Sequence, residues 1–126
     1  MTIPVNITKE QIADQLCTAL EGGSNYWYML GDVDTTHFVK GDTYVDNLMR
    51  SFIADKYYEL NVYDIESDED DPILLGKVTY ISIGNAFTTM GFRYPKQLSN
   101  IISGDYDADD ADVWFQLATM GEVVFG

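Results

Sequence analysis

The densest run of chemically able side chains is Asp105-Tyr-Asp-Ala-Asp-Asp-Ala-Asp112, in which Asp105, Asp107 and Asp109 take the first, third and fifth positions of an EF-hand-like calcium loop. The register fails after that. The sixth position is Asp110 where the turn takes Gly, the eighth is Asp112 where an apolar residue belongs, and the twelfth is Gln116 in place of a bidentate Glu. Acids ahead of a helix have a simpler cause, since its free N–H groups and dipole favour negative charge there. Asp105, Asp107 and Asp109 therefore rank as a weak cation candidate, and no metal or cofactor is expected.

Catalytic arrangements fare worse. His37 is the single histidine and lies among Asp34, Thr35 and Thr36, but no Ser or Cys stands in a recognisable nucleophile turn to complete a triad. Cys17 is also alone, so it forms no internal disulfide; beside Ala13, Leu16 and Leu20 it reads as a small packed side chain. Gly22 and Gly23 follow a helix, where carbonyls point outward, so they are no phosphate cradle. Tyr26, Trp27 and Tyr28 could stack on a base, yet nothing basic nearby would hold its phosphate. Asp112, Gln116 and Thr119 fall at i, i+4 and i+7 and read as the wet face of the last helix. With Glu21, Trp27 and Glu122 they mark where a small-ligand pocket would form.

A second acidic cluster holds Asp64, Glu66, Asp68, Glu69, Asp70 and Asp71, and the two clusters supply about half of the 21 acidic residues. Against only 7 Lys plus Arg they leave a formal charge of -14, which disfavours nucleic acid and anionic membranes and attracts cations or basic protein surfaces. The acidity does not make a disordered tail, because 46% of residues are hydrophobic and 13% aromatic. The 126 residues suit a single domain, 1–126, with one core. No stretch is apolar enough to span a bilayer and Met1–Asn6 lack a signal-peptide pattern, so a cytoplasmic location is expected.

The elements that must position these groups follow from periodicity. Thr8 and Gln11 form a capping box, Ile7 and Ile12 a staple, and Ile12, Leu16 and Leu20 an apolar face, predicting a helix over 9–21 stopped by Gly22-Gly23. Residues 24–30 read as a strand and 31–41 as loop. Thr43 caps a helix over 44–55 with Val45, Leu48, Met49, Phe52 and Ile53 inward. Period two at Tyr58, Leu60 and Val62, resuming at 73–78, predicts an antiparallel hairpin over 57–78 with the acidic cluster at its tip. Three helices follow: one from 79 with Tyr80, Ile83, Phe87 and Met90 inward, one led by Pro95 and closed by Gly104, and one from 109 or 110. The fold class is α+β, about three antiparallel strands with four to five helices, in the order α-β-α-β-β-α-α-α.

Three segments carry a resemblance: Thr18-Ala-Leu-Glu-Gly-Gly-Ser-Asn-Tyr-Trp27, Asp107-Ala-Asp-Asp-Ala-Asp112, and Phe115-Gln-Leu-Ala-Thr-Met-Gly-Glu-Val-Val-Phe-Gly126. Together they resemble a group of small acidic proteins encoded by bacteriophages and prophages, which share a Glu-Gly-Gly and Tyr-Trp run and a closing Gly-Glu-x-Val-x-Gly. The likeness covers the two ends and not the middle, and it implies a setting and no mechanism.

Two functions are thus expected. The first is a phage accessory or counter-defence factor that binds a basic host protein, its carboxylates standing in for nucleic-acid phosphates, through Asp64, Glu66, Asp68, Glu69, Asp70, Asp71, Asp105, Asp107, Asp109, Asp110 and Asp112. The same charge also serves plain solubility. The second is a small-molecule binder or enzyme with a pocket at Glu21, Trp27, Gln116 and Glu122.

Overall fold

The computed structural model describes residues 6–126; Met1–Val5, on which the reading of the chain's start rests, lie outside the described residues. Thr8 opens α1 (Lys9–Thr18) with the expected capping box, its hydroxyl accepting from the Gln11 amide at 3.1 Å and its own amide donating to Gln11 Oε1 at 2.9 Å. Gly22 and Gly23 do not stop this helix in the expected way. The chain widens instead into a π turn over Ala19–Gly23, and neither glycine takes a positive φ. Gly23 is needed for close approach: a Cβ there would stand 2.5 Å from the carbonyl oxygen of Ala108.

The strand expected over 24–30 is shorter. Only β1 (Tyr28–Leu30) is extended, because Ser24–Trp27 curls into a turn closed by the Trp27 amide on the Ser24 carbonyl at 3.1 Å. Thr43 caps α2 (Tyr44–Ala54) as expected, with Val45, Leu48, Met49 and Phe52 buried, but Ile53 faces out. The hairpin forms from β2 (Leu60–Asp64) and β3 (Leu74–Val78), and Tyr58, Leu60 and Val62 are buried as period two requires. The sheet is antiparallel in the order β1-β2-β3, with Tyr28 opposite Asp64 and Leu60 opposite Val78.

Three helices close the chain: α3 (Tyr80–Arg93), α4 (Pro95–Ser103) and α5 (Ala108–Met120). Ile83, Phe87 and Met90 point inward from α3 as expected, whereas Tyr80 points outward. Gly104 ends α4 in a left-handed conformation at φ 85, a geometry that favours glycine. The protein is α+β, with the expected order of elements.

α5 is the central element. It packs on α1, the π turn, α3, α4 and β3, so that nearly every residue from Asp110 to Thr119 is buried. Trp114 stacks on Phe87 with ring centroids 5.5 Å apart, and Leu16, Leu48, Phe52, Leu60, Val62, Met90 and Ile101 complete the surrounding core. Gly76 lets β3 lie directly on this helix, since a Cβ there would meet the Thr119 carbonyl oxygen at 1.9 Å.

Candidate functional site

Because α5 is enclosed on all sides, its supposed wet face does not exist: Asp112, Gln116 and Thr119 are buried. Asp112 is instead the acceptor at the centre of a hydrogen-bond network. Its Oδ1 receives the Ser24 hydroxyl at 2.7 Å and the Trp27 indole N–H at 2.8 Å; its Oδ2 receives the Tyr26 hydroxyl at 2.6 Å and the Gln116 amide at 3.0 Å. The Ser24–Trp27 turn exists to point three donors at one carboxylate, which explains why it is not a strand.

Gln116 extends the network to the end of the chain. Its Oε1 accepts the Val124 and Phe125 amides at 2.8 and 2.9 Å, and its Nε2 donates to the Phe125 carbonyl at 3.0 Å. The Phe125 ring stacks on Trp27, centroids 5.4 Å apart and planes 12° from parallel. The ligand pocket expected here is therefore filled. Trp27 and Gln116 are packed and bonded, and Glu122 is exposed beyond the helix end. Glu21 faces a different cavity of about 300 Å³, which it shares with Cys17, Tyr28 and Tyr44.

Ionisation follows these surroundings. Burial, reinforced by the hydrogen bond to Asp112 and the charges of Asp112 and Asp109, pushes the Tyr26 phenol up to about 12. Burial likewise raises the Cys17 thiol, followed by the nearby Glu21 carboxylate and the charges of Asp14 and Asp46. The thiol is a weak nucleophile at neutral pH. His37 gains no triad partner from Asp34, whose Oδ1 takes the Thr36 hydroxyl at 2.5 Å and the Thr36 amide at 2.9 Å. These bonds from Thr36, with a smaller contribution from His37, hold the Asp34 carboxyl below its ordinary value.

The acidic clusters divide by burial. Asp110 is buried and completes the α5 capping box, accepting from the Asp107 amide and Asn100 Nδ2 at 3.1 Å each while its own amide donates to Asp107 Oδ1 at 2.9 Å. Asp110 and Asp112 thus leave the expected partner surface for an internal structural role. Asp105, Asp107 and Asp109 stay exposed, and among the described residues no group of three His, Cys, Asp or Glu side chains is placed to hold a metal.

At the hairpin tip Asp64 is half-buried and its Oδ1 accepts the Glu66 amide at 2.9 Å, while Asp68 and Asp71 form an isolated antiparallel bridge. Glu66, Asp68, Glu69, Asp70 and Asp71 are exposed on these turns. Among the described residues ion pairs form only between Arg50 and Asp42 and, at 3.2 Å, between Lys77 and Glu59. Neither involves a cluster acid. Both clusters also border one segment: the Ile65 amide at the base of the tip donates to the Trp27 carbonyl at 3.0 Å, and Asp109 is near enough to act on the Tyr26 phenol.

Sequence reasoning missed the roles of Ser24, Tyr26 and Phe125. A signal was present. Ala111, Val113, Trp114, Phe115, Leu117 and Ala118 surround Asp112 and Gln116, and a helix apolar on every side is a buried one. No family model, curated protein or solved structure matches the chain.

Proposed function

We propose that this protein acts by binding, and that the exposed carboxylates of the hairpin tip and of the loop before α5 engage a basic surface on a host protein. The setting is that of a phage or prophage accessory factor, here a counter-defence factor whose acids stand in for nucleic-acid phosphates. One observation carries the reading: the tip acids sit on hydrogen-bonded turns, and they and Asp105, Asp107 and Asp109 are exposed and without ion-pair partners among the described residues. Fixed and unpaired charge of one sign steers association with a surface of the opposite sign.

The sequence likeness to phage-encoded proteins supports the setting. Its three segments meet in one place, since Gly23 lies against Ala108, Ser24, Tyr26 and Trp27 bond Asp112, and the closing Phe125 covers Trp27. The three segments therefore build one scaffold around Asp112, and the second of them also presents Asp107 and Asp109 at the surface.

Capture from host lysate at low and at high salt tests this. A basic protein retained at low salt, released at high salt and lost when Glu66, Asp68, Glu69, Asp70 and Asp71 become Gln or Asn is the expected result. Capture that ignores both salt and these substitutions would remove the tip as a contact surface.

A further inference from the structure

An apolar groove of about 380 Å³ opens between the start of α1, the second half of α2 and the first turns of α3, and it shares no lining residue with the Asp112 network. Ile12, Phe52, Ile83 and Phe87 form its walls. In a chain with 21 acidic residues none lines this groove, while Lys9 does, and Lys9 has no carboxylate partner among the described residues. Among the described residues, the one charged side chain in the lining is thus of opposite sign to the molecule's net charge.

Gly84 gives a second, independent indication. It lies within α3, where glycine weakens a helix relative to alanine. Gly23 and Gly76 are explained by backbone that a Cβ would strike, but among the described residues a Cβ on Gly84 would meet nothing within 4 Å. It also takes a helical φ, so no turn requires it. What the missing side chain leaves is space in the groove, which Gly84 lines. Packing among the described residues gives Gly84 no role, and an occupant of the groove would give it one.

We propose that this groove binds a small amphiphile with an apolar tail and a single anionic head, the class of medium-chain carboxylates, with the tail along Phe52, Ile83 and Phe87 over Gly84 and the head at Lys9. The volume lies within the range of small-ligand pockets, and the predominantly apolar wall with one charged group that fixes orientation is their usual composition. Screening at physiological salt weakens the pull of the distant carboxylates behind the net -14, and Lys9 is the charged side chain in the lining that can orient the head group.

Isoleucine-methyl NMR of the full chain, titrated with decanoate below its micelle concentration, tests the site. Saturable shifts of the Ile12 and Ile83 methyls are expected. Lys9→Gln should weaken decanoate by about fivefold and leave decanol within about twofold. Gly84→Leu should abolish binding of both, while Gly84→Ala raises the melting temperature by about 3 °C. The proposal is overturned by an absence of saturable shifts, by undiminished binding to Gly84→Leu, or by decyltrimethylammonium binding as well as decanoate. Groove shifts that grow with protein concentration in the absence of ligand would also overturn it, by assigning the groove to a second copy.

Discussion

Asp112 shows how one buried carboxylate can organise residues nearly ninety positions away. Charge-assisted hydrogen bonds contribute more than neutral ones, and the donors stranded by loss of the acceptor carry a desolvation cost of their own. Asp112→Ala should therefore destabilise the protein by about 3 kcal/mol or more in urea unfolding, and a loss below about 1 kcal/mol would show that the network holds little. Tyr26 provides a pH signature. Its folded value of about 12 lies above the ordinary 10, so the stability it contributes is present in full below pH 10 and is lost as pH rises through 12. Tyr28, Tyr44 and Tyr58 are raised by burial as well, so the informative quantity is the difference: Tyr26→Phe should flatten the decline between pH 10 and 12 relative to the unaltered protein. Cys17 should alkylate with iodoacetamide more slowly at pH 7.5 than an unstructured thiol, and Glu21→Gln should speed it by removing a charge that raises the thiol.

Among the elements, those whose signals are local were legible and those set by distant contact were not. The capping box at Thr8, the Thr43 cap, the Pro95 start and the Gly104 stop all lie within a few residues of what they control, and each helix begins or ends near its signal. The π turn and the Ser24–Trp27 turn answer to Ala108 and Asp112, far along the chain, so periodicity read them as a stopped helix and a strand. The candidate site divided in the same way, because exposure of the tip acids follows from their run of charge, whereas burial of Asp110 and Asp112 depends on how many neighbours α5 acquires. Close approach gives a direct test of the packing. Gly76→Ala puts a methyl where the Thr119 carbonyl stands, and forcing β3 off α5 should cost about 2 to 3 kcal/mol with a matching drop in urea midpoint. An unchanged midpoint would mean that strand and helix separate freely.

For the whole molecule the dominant long-range force is self-repulsion. A charge of -14 with only two ion pairs among the described residues leaves most carboxylates facing one another across solvent, and unfolding relieves that repulsion by spreading them apart. Salt should relieve it without unfolding, since the screening length falls from about 10 Å at 0.1 M to about 3 Å at 1 M. The melting temperature should accordingly rise by a few degrees over that range of NaCl. The tip variant with Glu66, Asp68, Glu69, Asp70 and Asp71 neutralised should start higher at low salt and respond less, because it has removed part of what salt screens. Calcium chloride at matched ionic strength separates screening from binding: stabilisation equal to that by NaCl is expected if Asp105, Asp107 and Asp109 act only as diffuse charge. A further rise with calcium that vanishes in Asp105→Asn would instead reveal a cation site at that loop.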